Sequence, residues 1–285
     1  MIQLNYNLQI ITSFLESQQN RPIQTYRAYK QDCQNLAEYL KQYSLSILKL
    51  NSQSEVNKYI AWQKQNSSSS TIRRRMCTLR ALIRHCETAG LISSNGSLLK
   101  TEEKAENIVC ASSEDIQRLF NYCMDMQNDN DYYTIRNKFM ILLVIICGFK
   151  CSDLVCLKVS DIKEFEITFT NMSGKLKIRI WDRNNIKEQY EIYIRKRSEW
   201  LKEYHHSSNK LFVGRFGDIM STAAIRESYD IVRAFCDISS KTTLSSLRTA
   251  CIRSYYEQIP DSILVSKIFD ISTNRIRKLK CIKEI

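Results

Sequence analysis

Two prolines and six glycines in 285 residues leave few places where the chain is forced out of a helix. Histidine is scarce as well, with His85, His205 and His206 the only three. The eleven cysteines are odd in number, contain no Cys-x-x-Cys pair, and are not spaced with those histidines to complete a zinc site. They are therefore expected to be free thiols acting as small buried hydrophobes in a reducing compartment, and no metal or other cofactor is implied. Long apolar runs are missing too. The most hydrophobic stretch, Met140 to Cys147, is too short to span a bilayer and runs directly into Gly148, Lys150 and Asp153. With no secretory or anchoring segment visible, the expectation is a cytoplasmic protein without a membrane partner.

What is plentiful is positive charge. Forty-two Lys and Arg against 30 Asp and Glu give a net charge of +12, which points to a polyanion as partner. Helical periodicity fills most of the first hundred residues. One helix is expected from near Leu8, a second from Ile23 to Tyr43 and a third from Asn51 to Lys64. A fourth starts at Thr71, capped from Ser67 to Ser70. This fourth helix spaces Ile72, Met76, Leu79, Ile83 and Cys86 for packing. Arg73, Arg74, Arg75, Arg80 and Arg84 lie elsewhere on it, with no acidic residue until Glu87. A solvated face is the ordinary reading of such a run; five Arg within twelve positions favour phosphate contact instead.

A polar stretch then reads as a linker over 99–111, between a domain at 1–98 and another at 112–285. After it, helices are expected over Ser113 to Met126, Arg136 to Cys147 and Cys151 to Leu157. Three alternating segments follow as strands: Glu164 to Asn171, Lys175 to Trp181 and Gln189 to Ile194. Helices resume over Arg195 to Tyr204, Thr222 to Phe235, Leu244 to Glu257 and Ser262 to Phe269. The basic end carries Arg275, Arg277, Lys278, Lys280 and Lys283. It reads as a disordered basic tail or a phosphate contact.

The stretch Thr71 to Arg84 followed by Ala89-Gly-Leu-Ile92 resembles the last core helix of the DNA-binding domain of tyrosine recombinases, the phage integrase family. Thr25 to Tyr29 is similar to its second helix. Arg136-Asn-Lys138, then Gly148-Phe-Lys-Cys-Ser-Asp153 through Asp161, carries the family's order of helix, Gly turn, basic residue, short helix and Asp. Leu211-Phe-Val213 precedes a turn, a helix and Ser245-Ser-Leu-Arg248, where the family has a His-x-Leu-Arg box. The resemblance implies a mainly α fold with a small antiparallel β-sheet. In it, an N-terminal helical core-binding (SAM-like) domain and a C-terminal integrase-type catalytic domain form a C-shaped clamp around duplex DNA. For the basic end it implies a third and equal reading, a segment exchanged between protomers.

The family's chemistry is attack of a Tyr hydroxyl on a phosphodiester, assisted by two Arg, a Lys and two His or Trp positions, with neither metal nor nucleotide. By the resemblance the first Arg falls on Lys150, which keeps a charge but loses the planar two-pronged donor. The box His falls on Ser245, which cannot shuttle protons as imidazole does. Arg248 is retained. Arg183 or Lys187 is the candidate hairpin lysine, between the second and third strands. The later His or Trp position falls at Asp270 or Ile271, and no Tyr occurs from Ser272 to Ile285. Tyr255 and Tyr256, the last tyrosines, read as core, and Cys281 as a bystander. Lys150 and Arg248 are read as a retained phosphate site in preference to pairing with Asp153 or Asp161.

The function so implied is a DNA-binding protein impaired in strand cleavage, an accessory or regulatory factor in recombination or integration within a phage or other mobile element. The alternative is an active site-specific recombinase with an unusual or trans-supplied nucleophile. A third reading reuses the clamp for protein interaction without DNA; the charge of +12 argues against it. The implied partner is double-stranded DNA, with an active recombinase or further copies of the chain as candidate companions on it.

Overall fold

A computed structural model describes residues 2–93, 108–181 and 186–279. The chain divides into two compact units, Met1–Glu106 and Asn107–Ile285. Most of the expected linker, residues 99–107, lies outside the described residues.

The first unit is helical throughout its described residues: α1 (Ile2–Ser17), α2 (Ile23–Gln42), α3 (Gln53–Lys64) and α4 (Ser69–Thr88). A 3-10 turn at Ile47–Asn51, not expected from the sequence, buries Ile47 and Leu50 fully and closes the core under α3. Serine side chains start the next two helices: Ser52 accepts from the Glu55 N–H and Ser68 from the Thr71 N–H. All five apolar positions expected on α4 are buried, packed with Phe14, Leu36, Leu40 and Tyr59. Asn7 is spent on backbone, its amide donating to the Leu45 carbonyl at 2.7 Å while its oxygen accepts from the Ile47 N–H at 2.9 Å.

A buried charge joins α2 to α4. Asp32 is 2 % exposed, accepts from the Thr78 hydroxyl at 2.7 Å and lies 2.6 Å from the Arg74 guanidinium. Burial pushes its pKa up despite those partners, so it is a carboxylate the fold must keep satisfied.

The second unit holds α5 (Ser113–Met124), α6 (Tyr132–Cys147), α7 (Cys151–Cys156), β1 (Glu166–Thr170), β2 (Leu176–Ile180), α8 (Lys187–Glu203), α9 (Thr222–Phe235), α10 (Leu244–Gln258), α11 (Ser262–Phe269) and α12 (Thr273–Leu279). Its axis is α6, in which every residue from Phe139 to Val144 is fully buried. A helix apolar on all sides must be enclosed, and α5, α8, α9 and α10 enclose it. Arg136, expected as its start, lies one turn inside and is buried, donating to the Val213 carbonyl at 2.9 Å and the Ser228 hydroxyl at 3.3 Å. Asp131 caps the true start, accepting from the Thr134 N–H at 2.7 Å.

The expected third strand is absent: Gln189 to Ile194 forms the first turns of α8. Six residues of alternation fit a strand and a helix edge alike. The longer stripe of Gln189, Ile192, Tyr193, Arg197, Trp200 and Leu201, all buried, has helical spacing and decides. The described sheet is thus β1 against β2, antiparallel, with Ile167 opposite Arg179 and Phe169 opposite Lys177. The basic end is a helix as far as it is described, with Ile276 and Leu279 of α12 buried against α10 and α11; Lys280 and Lys283 lie outside the described residues.

Thr78→Val keeps the shape of the side chain but takes a donor from buried Asp32, and should lower stability by about 1–3 kcal/mol. Urea unfolding checks this; an unchanged midpoint and slope would show that the Asp32 contacts do not hold α2 to α4.

Candidate functional site

In the first unit the five α4 arginines divide. Arg75 is largely enclosed, donating to the Ser67 hydroxyl at 2.9 Å and to the Gln63 side-chain oxygen at 3.3 Å. Arg74 is committed to Asp32. Both therefore hold α4 in place, a role the Arg count alone did not separate from the surface one. Arg73 and Arg80 are half-buried and Arg84 is exposed, one turn beyond Arg80 on the same face.

The second unit gathers the other candidates. Gly148 ends α6 in the left-handed region at φ +62°, and a Cβ there would lie 2.6 Å from Cε1 of Phe269. The turn sends Phe149 into the core against Phe169, with ring centroids 5.2 Å apart, and leaves Lys150 at the start of α7. Thr243 caps α10 by accepting from the Ser246 N–H. Ser245 thereby sits exposed in the first turn, and Arg248 one turn on. The Arg248 guanidinium donates Nε to the Gly148 carbonyl at 2.8 Å and Nη2 to the Phe269 carbonyl at 2.6 Å. Burial, and then the neighbouring Arg179, bring its pKa down to about 10, so it remains charged at neutral pH.

Lys150, Ser245 and Arg248 line one open cleft of about 520 Å³, together with Arg226 of α9 and Arg275 of α12. No carboxylate lies within 4 Å of Arg226 or Arg275 among the described residues. The one acidic side chain in the lining, Asp230, is 3.2 Å from Arg233.

Arg183 lies outside the described residues, and Lys187 opens α8 as an exposed residue. The lysine beside Lys150 is instead Lys177 of β2. Lys177 Nζ is 3.3 Å and Lys150 Nζ 3.7 Å from opposite oxygens of the Asp270 carboxylate. The hydrogen bond from Lys177, with the charges of Lys177, Lys150 and Lys175, holds that carboxyl below its usual range. Arg179, two residues along β2, is buried and donates to the Ile268 carbonyl. The residue pattern of β2 distinguishes both. Lys177 and Arg179 alternate with Leu176, Ile178 and Ile180 in β2, and the strand turns these two basic residues inward while the three apolar residues are exposed. Such an inversion of the usual pattern marks a site. Lys150 thus pairs with neither Asp153 nor Asp161. Asp161 accepts from the Lys158 N–H at 2.9 Å, and Arg248 bonds to carbonyls.

The candidate tyrosines are enclosed. Tyr255 and Tyr256 are buried with Val265 and Ile276, and Tyr255 meets the Phe269 ring edge-on with centroids 5.1 Å apart. Tyr229 borders the cleft but is 3 % exposed and donates to the Thr242 carbonyl at 2.8 Å. Cys281 lies outside the described residues. Among the described residues no group of His, Cys, Asp and Glu could hold a metal, and no helix is long and apolar enough to cross a membrane. The arrangement suits binding of a multiply charged oxyanion by charge and directed N–H groups.

Residues 11–90 match the model of the phage integrase N-terminal SAM-like domain. Over 285 aligned positions the chain is 25 % identical to tyrosine recombinase XerD of Oceanobacillus iheyensis, covering 96 % of this chain and 93 % of that one. Tyrosine recombinase XerC of Anoxybacillus flavithermus is 26 % identical over 181 positions, 61 % of this chain and 58 % of the relative. In fold, the chain is similar to XerH site-specific recombinase in a post-cleavage complex with palindromic difH substrate, at a TM-score of 0.76 and 14 % identity, over 94 % of this chain and 79 % of that one. It is also similar to lambda integrase residues 75–356 bound to DNA, at a TM-score of 0.66 and 12 % identity, over 92 % and 90 % of the two chains.

Gly148→Ala should cost about 1–3 kcal/mol from the left-handed backbone alone and force Phe269 aside. Pairing it with Phe269→Leu should recover part of the loss in urea unfolding. A single variant as stable as the parent would show that the turn does not set the cleft.

Proposed function

The chain belongs to the tyrosine recombinase family, and from that premise we propose that it binds duplex DNA without cutting it, as an accessory or regulatory factor in recombination or integration. One observation carries the reading: Lys150, Arg226, Arg248 and Arg275 converge on a cleft in which no tyrosine hydroxyl is free. Lysine at 150 and serine at 245 fit that division of labour. A lysine still neutralises a phosphate but does not grip it in two places, and a serine does not protonate a leaving oxygen near neutral pH. In the first unit Arg80 and Arg84, with Arg73, offer a second set of phosphate contacts. Arg74 and Arg75 are assigned to the fold. Contacts of this kind position a protein on the duplex without reading its sequence. On the DNA, an active recombinase or further copies of the chain would be its companions.

Incubation with a nicked duplex that traps cleavage, read on native and denaturing gels, tests the proposal. The expected result is a shifted band with no covalent protein–DNA band. A covalent band that disappears in Tyr229→Phe, Tyr255→Phe or Tyr256→Phe would restore an active recombinase. The Arg80→Ala/Arg84→Ala double variant should weaken binding to all duplexes alike and make the salt dependence shallower by about two phosphate contacts. Unchanged affinity would remove α4 from the interface.

A further inference from the structure

We propose that Asp270 is a resident competitor for DNA phosphate, its carboxylate occupying the two lysines that a phosphate would use, so that engaging DNA at the second unit requires Asp270 to be displaced. This rests on the phosphate-binding reading of the cleft.

The carboxylate is delivered to the lysines by the way α11 ends. Asp270 caps that helix at φ +55°, a backbone conformation that Asp tolerates better than most residues. The preceding carbonyls are fixed from two sides, that of Phe269 by Arg248 and that of Ile268 by Arg179. Beyond it, the Ser266 hydroxyl donates to the Ile271 carbonyl at 2.7 Å and the Ile271 N–H to the Ser266 carbonyl at 3.3 Å, which closes the turn before α12. Nothing else is needed to place the side chain, and its oxygens then reach Lys177 on one side and Lys150 on the other.

The same geometry makes the contact reversible. The Asp270 side chain is 43 % exposed and that of Lys150 38 %, so water and ions reach that pair and its strength is modest, while Lys177, 14 % exposed, is the more enclosed partner. Arg248 is different. Its two bonds to carbonyls hold it in place, and a guanidinium has further N–H groups for an oxyanion. An incoming phosphate therefore has one competitor, at the lysines, and none at the arginine. A backbone phosphodiester carries the same single charge as a carboxylate, so the exchange is driven by the neighbouring phosphates that the duplex brings to the other cations, and it reduces affinity and counterion release.

Binding of a fluorescent 30-base-pair duplex, measured across a salt series for the parent, Asp270→Asn, Lys150→Gln and the Lys150→Gln/Asp270→Asn pair, separates the possibilities. Asparagine preserves size and tolerance of positive φ. Asp270→Asn should bind about three- to tenfold tighter at low salt with a steeper salt dependence, and most of that gain should vanish in the double variant. Inorganic phosphate should raise the melting temperature of Asp270→Asn more than that of the parent. If Asp270→Asn binds equally or more weakly while Lys150→Gln still reduces binding, Asp270 positions the lysines and the inference is wrong. If Lys150→Gln changes neither affinity nor salt dependence, the phosphate reading of the cleft fails first, and the competitor role falls with it.

Discussion

The Arg248 guanidinium is the fixed point of the second unit. Its two hydrogen bonds run to the carbonyl that follows α6 and the carbonyl that ends α11, segments about 120 residues apart in the chain. Lys150 leaves the first of these turns and Asp270 the second, so both positions follow from one buried cation. The close approach of Phe269 to Gly148 makes the same connection sterically: with no side chain at 148 the ring fits, and the two carbonyls come within reach of one guanidinium. Burial of such a cation is costly unless its donors are satisfied, and the carbonyls satisfy two of them.

A cation of the cleft is thus also a structural one, and the first unit arranges its cations differently. There a buried carboxylate, Asp32, draws Arg74 and Arg75 back onto the helical core. Charge density on a helix is no measure of an interface until the buried counter-charges have been found. In β2 the reverse holds: the inward-facing Lys177 and Arg179 bind the end of α11, at the Asp270 carboxylate and the Ile268 carbonyl, and the exposed Leu176, Ile178 and Ile180 form the outer side of the hairpin.

Much of this was legible in the sequence. The helical stripes of α2 and α4, the serine cap of α4, the enclosed α6, and Thr222–Phe235 and Ser262–Phe269 as helices follow from periodicity and side-chain chemistry. So does the proximity of Lys150, Ser245 and Arg248, through the order of motifs. What escaped had physical causes. The start of α8 alternates over too short a window to distinguish strand from helix, so Lys187 opens a helix where a hairpin between two strands was expected. Asp270 read as the remnant of a lost position because a sequence does not show which cations a helix end will meet. Asp32 sits among polar neighbours in α2 and gives no sign of burial until α4 covers it.

The account turns on whether the cleft holds DNA phosphate. The most direct measurement is the slope of log affinity against log salt for duplex binding, comparing the parent with a Lys150→Gln/Arg226→Gln variant whose unfolding midpoint matches the parent's. The account predicts a slope shallower by roughly two, about 0.9 for each phosphate contact removed. An unchanged slope would contradict it, leaving α4 and the rest of the surface to account for any DNA binding.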